Sequence, residues 1–247
     1  MIMNGRYWFR FPPRPGREGS GASDFQKEET QVQITFISDY VCPYCLVAKE
    51  ALKQALAETG ISAEITWQPY ELTPEPRERV DTWHDQARRA RYRILEEPCA
   101  RLGLEMKLPP RVIPRPYTRL AFEGWFYACR KGRGEAYNDL VYRAYFTEEQ
   151  DIGSPEVLTE LARRAGLDGA DFAAALARGD DTQREREAVA YAREVLRPRG
   201  VPTIYLNGEE ITLREYTKEE MIRLLQEGAR RDAAPGFTCG EDGCTLG

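Results

Sequence analysis

A single histidine, His84, occurs in 247 residues. Its neighbours are polar, which marks a surface position. With one histidine, a zinc site of mixed Cys and His ligands has few partners to draw on. No run of apolar residues is long enough to span a bilayer. The N-terminus also lacks the apolar stretch of a secretory signal. Tyr7, Trp8 and Phe9 form only a short patch between Arg6 and Arg10. Positive charge is not in excess: 35 Lys and Arg face 40 Asp and Glu, a formal net charge of −5. That balance gives no reason to expect a nucleic-acid partner. The one basic stretch, Arg77 to Arg93, holds six Arg against Glu78, Asp81 and Asp85, the pattern of a solvated helix face. Hydrophobic residues make up 42% of the chain and aromatics 11%, so most of it is expected to fold around a core. The expected setting is the cytoplasm, with neither membrane nor nucleic acid as partner.

Lasting disulfides are rare in that compartment, so six cysteines call for a chemical reason. Four form two close pairs, Cys42 with Cys45 and Cys239 with Cys244. Cys99 and Cys129 stand alone in helical stretches and are expected to pack as small hydrophobes.

Residues 1–30, rich in Gly, Pro, Arg and Ser, are expected to be a flexible tail outside the fold. Gln31 to Ser38 alternates Val32, Ile34 and Phe36 with polar residues, a strand pattern. A helix follows Cys45 to about Glu58 and stops at Gly60. Ile61 to Trp67 is a second strand, and the unit is β-α-β over 31–75. Residues 76–198 read as an insertion that is helical almost throughout from Thr82. Helices are expected over Thr118–Lys131, over Glu135–Phe146, after Ser154-Pro155 and after Asp168. Thr182 with Glu185 has the spacing of a capping box. Strand character returns over 199–231, with Thr203–Leu206, an Asn207-Gly208 hairpin turn and a return strand Glu210–Leu213. Thr217 with Glu220 then caps a last helix. The tail, 232–247, holds Cys239 and Cys244. An antiparallel hairpin added to a parallel unit makes the fold class α/β, one mixed central sheet interrupted by an all-helical block.

Cys42 follows a strand and opens a helix. The free N–H groups and the dipole at a helix start favour a thiolate there. Pro43 fits the first turn, where its missing N–H costs little. Cys45 lies one turn on, placed to attack a mixed disulfide formed at Cys42 and release the partner. Cys42 is thus read as the nucleophile and Cys45 as the resolving thiol. The competing reading of a C-x-x-C pair is half of a zinc site.

The motifs together resemble the FrnE-like branch of the DsbA family of thioredoxin-fold proteins. The similar stretches are Ser38-Asp39 to Lys49, Trp67 to Pro74, Arg143 to Glu148, and Gly200-Val201-Pro202-Thr203 running into Asn207-Gly208. They cover roughly residues 33–230. The resemblance implies a thioredoxin fold with a helical insertion and redox roles for Cys42 and Cys45. It also implies a cis Pro202 whose predecessor, Val201, faces the active cysteine and pairs its backbone with substrate. Protein disulfides or thiols are the implied partners, with a thiol reductant such as glutathione as donor and no bound cofactor or metal. This chain carries Pro43-Tyr44 where strongly oxidising DsbA proteins have Pro-His. Losing a nearby imidazolium implies a less oxidising centre.

Asp39 either assists proton transfer to Cys45 or caps a turn, and the cap is the favoured reading. Trp125, Phe126, Tyr137 and Tyr145 are expected in the core of the helical block. Cys239 and Cys244 enclose Gly240-Glu241-Asp242-Gly243 and are candidates for an auxiliary redox pair, against a structural disulfide or a weak metal-binding tail. Two further functions stand beside the disulfide oxidoreductase: a glutathione-linked transferase or isomerase, and a cysteine-rich metal-binding stress protein.

Overall fold

The computed structural model describes residues 31–232, together with the strand backbones at 3–4, 7–10, 237–240 and 243–246. Of the expected N-terminal tail, Met3–Asn4 (β1) and Tyr7–Arg10 (β2) are described, and they pair antiparallel with each other. Three consecutive aromatics make β2 a good strand former.

Val32–Ser38 (β3) leads into Pro43–Thr59 (α1), which ends at Gly60 with φ 68°. That left-handed geometry suits glycine and stops the helix where expected. Ala63–Pro69 (β4) lies parallel to β3 along its whole length, from Val32↔Ala63 to Ser38↔Pro69. β2 adds to the outer side of β4. Seven helices follow among the described residues: Gln86–Tyr92 (α2), Glu96–Leu102 (α3), Arg119–Arg130 (α4), Gly134–Phe146 (α5), Pro155–Arg164 (α6), Gly169–Arg178 (α7) and Thr182–Tyr191 (α8). Thr203–Leu206 (β5) then returns antiparallel to β3, and Glu209–Ile211 (β6) pairs with β5. The Asn207-Gly208 turn has φ 50° and 82°, as a two-residue hairpin requires. Lys218–Asp232 (α9) packs on α1. Phe237–Gly240 (β7) and Gly243–Leu246 (β8) form a separate antiparallel hairpin. The main sheet has the order β1-β2-β4-β3-β5-β6, a mixed α/β sheet with the helical block inserted between β4 and β5. Among the described residues no helix is long and apolar enough to cross a membrane.

Four local expectations need correction. β4 starts at Ala63 and not at Ile61, and the return strand β6 is Glu209–Ile211 and not Glu210–Leu213. The insertion is not helical almost throughout: α2 begins at Gln86, and 103–118 is irregular. Gly103 closes α3 with φ 67°. Pro109, Pro110, Pro114 and Pro116 then remove donors and disfavour helix at the residues before them. Tertiary bonds hold this stretch instead, Lys107 N–H donating to Phe146 O at 2.7 Å and Arg115 N–H to Val80 O at 2.9 Å. The capping box at Thr182 and Glu185 does not form. Thr182 is the first residue of α8, Asp181 precedes it without a side-chain cap bond and pairs with Arg130, and Glu185 is buried. At α9 the expected cap does form, Glu220 N–H donating to Thr217 Oγ1 at 3.2 Å. There the Glu220 carboxylate accepts from the N–H groups of Arg214, Glu215 and Tyr216.

One contiguous core joins the sheet to the insertion. The Tyr40 ring lies 4.6 Å from that of Phe122 on α4 and 5.0 Å from that of Tyr142 on α5. Trp125, Phe126, Tyr137 and Tyr145 are buried in the same core. Within it, α4 approaches its neighbours at Gly124. A Cβ there would stand 2.3 Å from Tyr137 Oη and 2.7 Å from Phe172 Cζ. Glycine to alanine in a helix ordinarily gains about 1 kcal/mol. Here overpacking against two fully buried rings outweighs that gain, and Gly124→Ala is expected to lose about 2 kcal/mol. Urea unfolding measures the difference, and an unchanged or raised midpoint would refute it.

Candidate active site

β3 ends at Ser38, and a short turn carries the chain to α1. Cys42 is the residue before the helix, with extended backbone (φ −96°, ψ 113°). Its N–H donates to Asp39 O at 3.1 Å, and its carbonyl accepts from Cys45 N–H at 3.1 Å. Pro43 occupies the first turn. The positive end of α1 therefore lies at Cys42, with no acidic residue in the helix's own first turn.

The structure brings Val201 and Pro202 to the same place. Cys42 Sγ–H donates to Val201 O at 3.4 Å, and the Val201-Pro202 bond is cis. The stretch that delivers Val201 is a π-helical turn over Ala192–Leu196, followed by Arg197 with φ 47°. Helices of that kind recur at functional sites.

Cys42 and Cys45 are both free thiols and both buried, Cys42 with 4% of its surface exposed and Cys45 with none. Burial pushes the Cys45 pKa well above the ordinary thiol value, the Cys42 sulfur adds to this, and a backbone hydrogen bond with Asp39 pulls the other way. Cys45 is thus held as a thiol until a base or a reaction partner takes its proton.

Asp39 has no exposed surface. Its carboxylate accepts from Leu72 N–H at 2.7 Å and from Val41 N–H at 3.5 Å, the second being an Asx-type turn. Burial raises its pKa against the pull of these bonds and of the Arg115 charge. Tyr44 is tied outward, its hydroxyl donating to Arg91 O at 3.2 Å and its ring lying 5.5 Å from that of Tyr216. A hydroxyl so engaged does not serve the Cys42 sulfur as an imidazolium would.

Several neighbours of the dithiol went unread in the sequence. Tyr142 Oη donates to Asp39 O at 3.4 Å, and Tyr92 packs on Tyr44. Behind Asp39, the carboxyls of Glu71 and of Glu185 on α8 are both buried and interact with each other. Local spacing pointed to Glu185 as a cap. The cue for Glu71 was its place in Trp67–Pro74, one of the stretches that carry the family pattern.

Cys99 and Cys129 stay apart from this chemistry. Burial pushes the first up to about 11 and the second up to about 12. His84 is exposed and pairs with Asp81. Cys239 and Cys244 are register partners across β7 and β8, and their side chains lie outside the described residues.

Residues 33–221 match the model of the DSBA-like thioredoxin domain family. The uncharacterized protein YwbO of Bacillus subtilis (strain 168) is 39% identical over 176 residues, 71% of this chain and 86% of that protein. A probable DsbA oxidoreductase from Streptomyces coelicolor is similar in structure, with a TM-score of 0.69 and 25% identity over 88% of this chain and 100% of that one. The cytosolic disulfide reductase DsbM from Pseudomonas aeruginosa shares the fold at a TM-score of 0.56 and 17% identity, over 81% of this chain and 99% of its own. With a strand-Cys-Pro-x-Cys-helix site and a family match over most of its length, this chain belongs to the DSBA-like thioredoxin domain family.

Proposed function

We propose that the protein is a thiol–disulfide oxidoreductase that exchanges electrons with protein disulfides through Cys42 and Cys45. The observation that carries this reading is the Cys42 sulfur at the start of α1, 3.4 Å from Val201 O, with the buried Cys45 one turn behind it. The Cys42 thiolate attacks one sulfur of a substrate disulfide. A Cys42–substrate bond forms, and the other substrate sulfur leaves as a thiolate and takes a proton. Cys45 then loses its proton and attacks Cys42 Sγ. The Cys42–Cys45 disulfide forms, the second substrate sulfur leaves, and two electrons have passed to the substrate. A small thiol or dithiol reductant restores the pair. Because Cys45 resists ionisation, it does not compete with Cys42 for the first attack.

The outward-tied Tyr44 supports a reducing or isomerising role over that of a strong oxidase, since it gives the Cys42 thiolate no charged partner. A reducing compartment such as the cytoplasm suits that role. Cys239 and Cys244 are assigned an auxiliary part as a second exchangeable pair. Their register pairing is compatible with a bond, since facing residues of an antiparallel pair lie about 4.5–5.5 Å apart.

Insulin reduction driven by dithiothreitol tests both parts. The parent protein is expected to accelerate precipitation of the insulin chains over dithiothreitol alone, and no acceleration would refute the reading. A Cys239→Ser, Cys244→Ser variant is expected to turn over more slowly. If its rate and its Cys42–Cys45 reduction potential both equal the parent's, the second pair has no part in the cycle.

A further inference from the structure

A dithiol selects its substrates by the surface around it, and two basic stretches meet this one. The first is the end of α2. Tyr44 Oη donates to Arg91 O at 3.2 Å. The Tyr44 hydroxyl also feels the charges of both Arg91 and Cys42, so cation and nucleophile share one neighbour. Arg91 and Arg93 are exposed, and neither has a carboxylate partner among the described residues. The second stretch runs into Val201. It carries Arg197 and Arg199, both exposed, and Arg199 stands two residues before the carbonyl that Cys42 touches. The Arg197 side chain donates to the backbone carbonyl of Glu194, at 2.7 Å, and has no carboxylate partner among the described residues. Of the nearby acids, Asp85 pairs with Arg88 and Glu97 with Arg101, while Glu96, Glu194 and Glu215 are exposed. Two stretches carrying four exposed arginines, Arg91, Arg93, Arg197 and Arg199, therefore flank the residues that touch Cys42 and Tyr44, in a chain whose net charge is −5.

We propose that Arg91 and Arg199 select acidic polypeptide segments, receiving carboxylates that flank a substrate's disulfide while one of its sulfurs meets Cys42. This rests on the oxidoreductase reading above and adds the class of substrate to it. The chemistry fits: a guanidinium pairs with a carboxylate through two parallel N–H bonds. Exposed cations beside a reactive atom raise the encounter rate of anionic partners and are screened by salt. The electrons follow the same route as before, from the dithiol to the substrate disulfide.

The test uses three synthetic peptides of equal length, each closed by one disulfide. In the first the flanking residues are Asp and Glu, in the second Ser, in the third Lys and Arg. Reduction by the full-length protein is driven by dithiothreitol, which is uncharged. The expected order of kcat/KM is acidic over neutral over basic, with acidic exceeding basic by roughly tenfold at low salt. Added NaCl is expected to shrink that ratio. An Arg91→Glu, Arg199→Glu variant is expected to invert it, which a merely structural role for the two arginines would not do. Equal kcat/KM for the three peptides overturns the selection rule and leaves the oxidoreductase reading standing. A ratio that the double variant does not change overturns the assignment to these residues. A protein that reduces none of the peptides overturns both readings.

Discussion

Cys42→Ser is expected to abolish disulfide reduction, lowering kcat/KM by roughly a thousandfold or more. A serine hydroxyl at the start of α1 does not ionise near neutral pH and forms no bond that the second cysteine can resolve. Cys45→Ala is expected to fail differently. The first attack survives, but release does not, and substrate accumulates as a mixed disulfide on Cys42. Alanine serves better than serine here because position 45 is fully buried and an unpartnered hydroxyl would add its own cost. Mass spectrometry of the Cys45→Ala protein after incubation with a disulfide substrate locates the adduct. Burial holds Cys99 and Cys129 at about 11 and about 12. Their thiolate fractions at pH 7 are then only about 10⁻⁴ and 10⁻⁵. Adducts on either of them in place of Cys42 would overturn the assignment of the nucleophile.

Raising the pH from 5 to 9 is expected to weaken the fold through one buried pair. Burial, helped by the Asp39 charge, pushes Glu71 up to about 7. Burial, helped by the Glu71 charge, pushes Glu185 up to about 9. The Arg119 charge pulls both the other way but does not outweigh burial, and Glu71 Oε2 and Glu185 Oε1 have no hydrogen-bond partner among the described residues. In the unfolded chain both carboxyls ionise near 4.3. Between that pH and about 9 the folded state binds more protons than the unfolded one, so stability falls as pH rises. The pair's contribution is complete below about 4.3, declines through about 7, and is gone above about 9. The two steps belong to the pair rather than to either residue.

Glu185→Gln isolates this effect. Glutamine keeps the shape and offers Glu71 a neutral donor at every pH. The variant is expected to gain on the parent as pH rises, by on the order of 3 kcal/mol at pH 9. Urea unfolding of both proteins at pH 5, 7 and 9 measures the divergence. Parallel pH curves would show that the pair does not titrate in this window.

What the sequence revealed, and what it hid, follows from the range of each interaction. Gly60 ends α1 by its own backbone freedom, Asn207-Gly208 turns a hairpin by itself, and Cys42-Pro43-Tyr44-Cys45 sits at a strand-to-helix junction that local pattern alone defines. Glu185 shows the opposite case. Its spacing from Thr182 matched a local cap, but its partner is Glu71, on the far side of the insertion in sequence. Desolvation by tertiary packing decided its role, and no periodicity records that. The segment 103–118 is irregular between helical stretches because its four prolines remove donors and disfavour helix at the residues before them. Tyr142 and Arg91 belong to the site through contacts that only the packed insertion creates.

The contact between Cys42 and Val201 also has a consequence for the making of the protein. The two residues are 159 positions apart. At ordinary rates of translation the ribosome needs roughly 10–30 s to add that length. For that interval the nascent chain carries Cys42 without β5, without the Val201 carbonyl, and without the ring contacts of α4 and α5 that hold the turn before it. A newly made molecule is therefore a free thiol on an unfinished chain before it is a folded protein, open to capture by any disulfide that reaches the ribosome exit. Synthesis in a reducing milieu keeps that thiol intact until the carbonyl that shields it has been made.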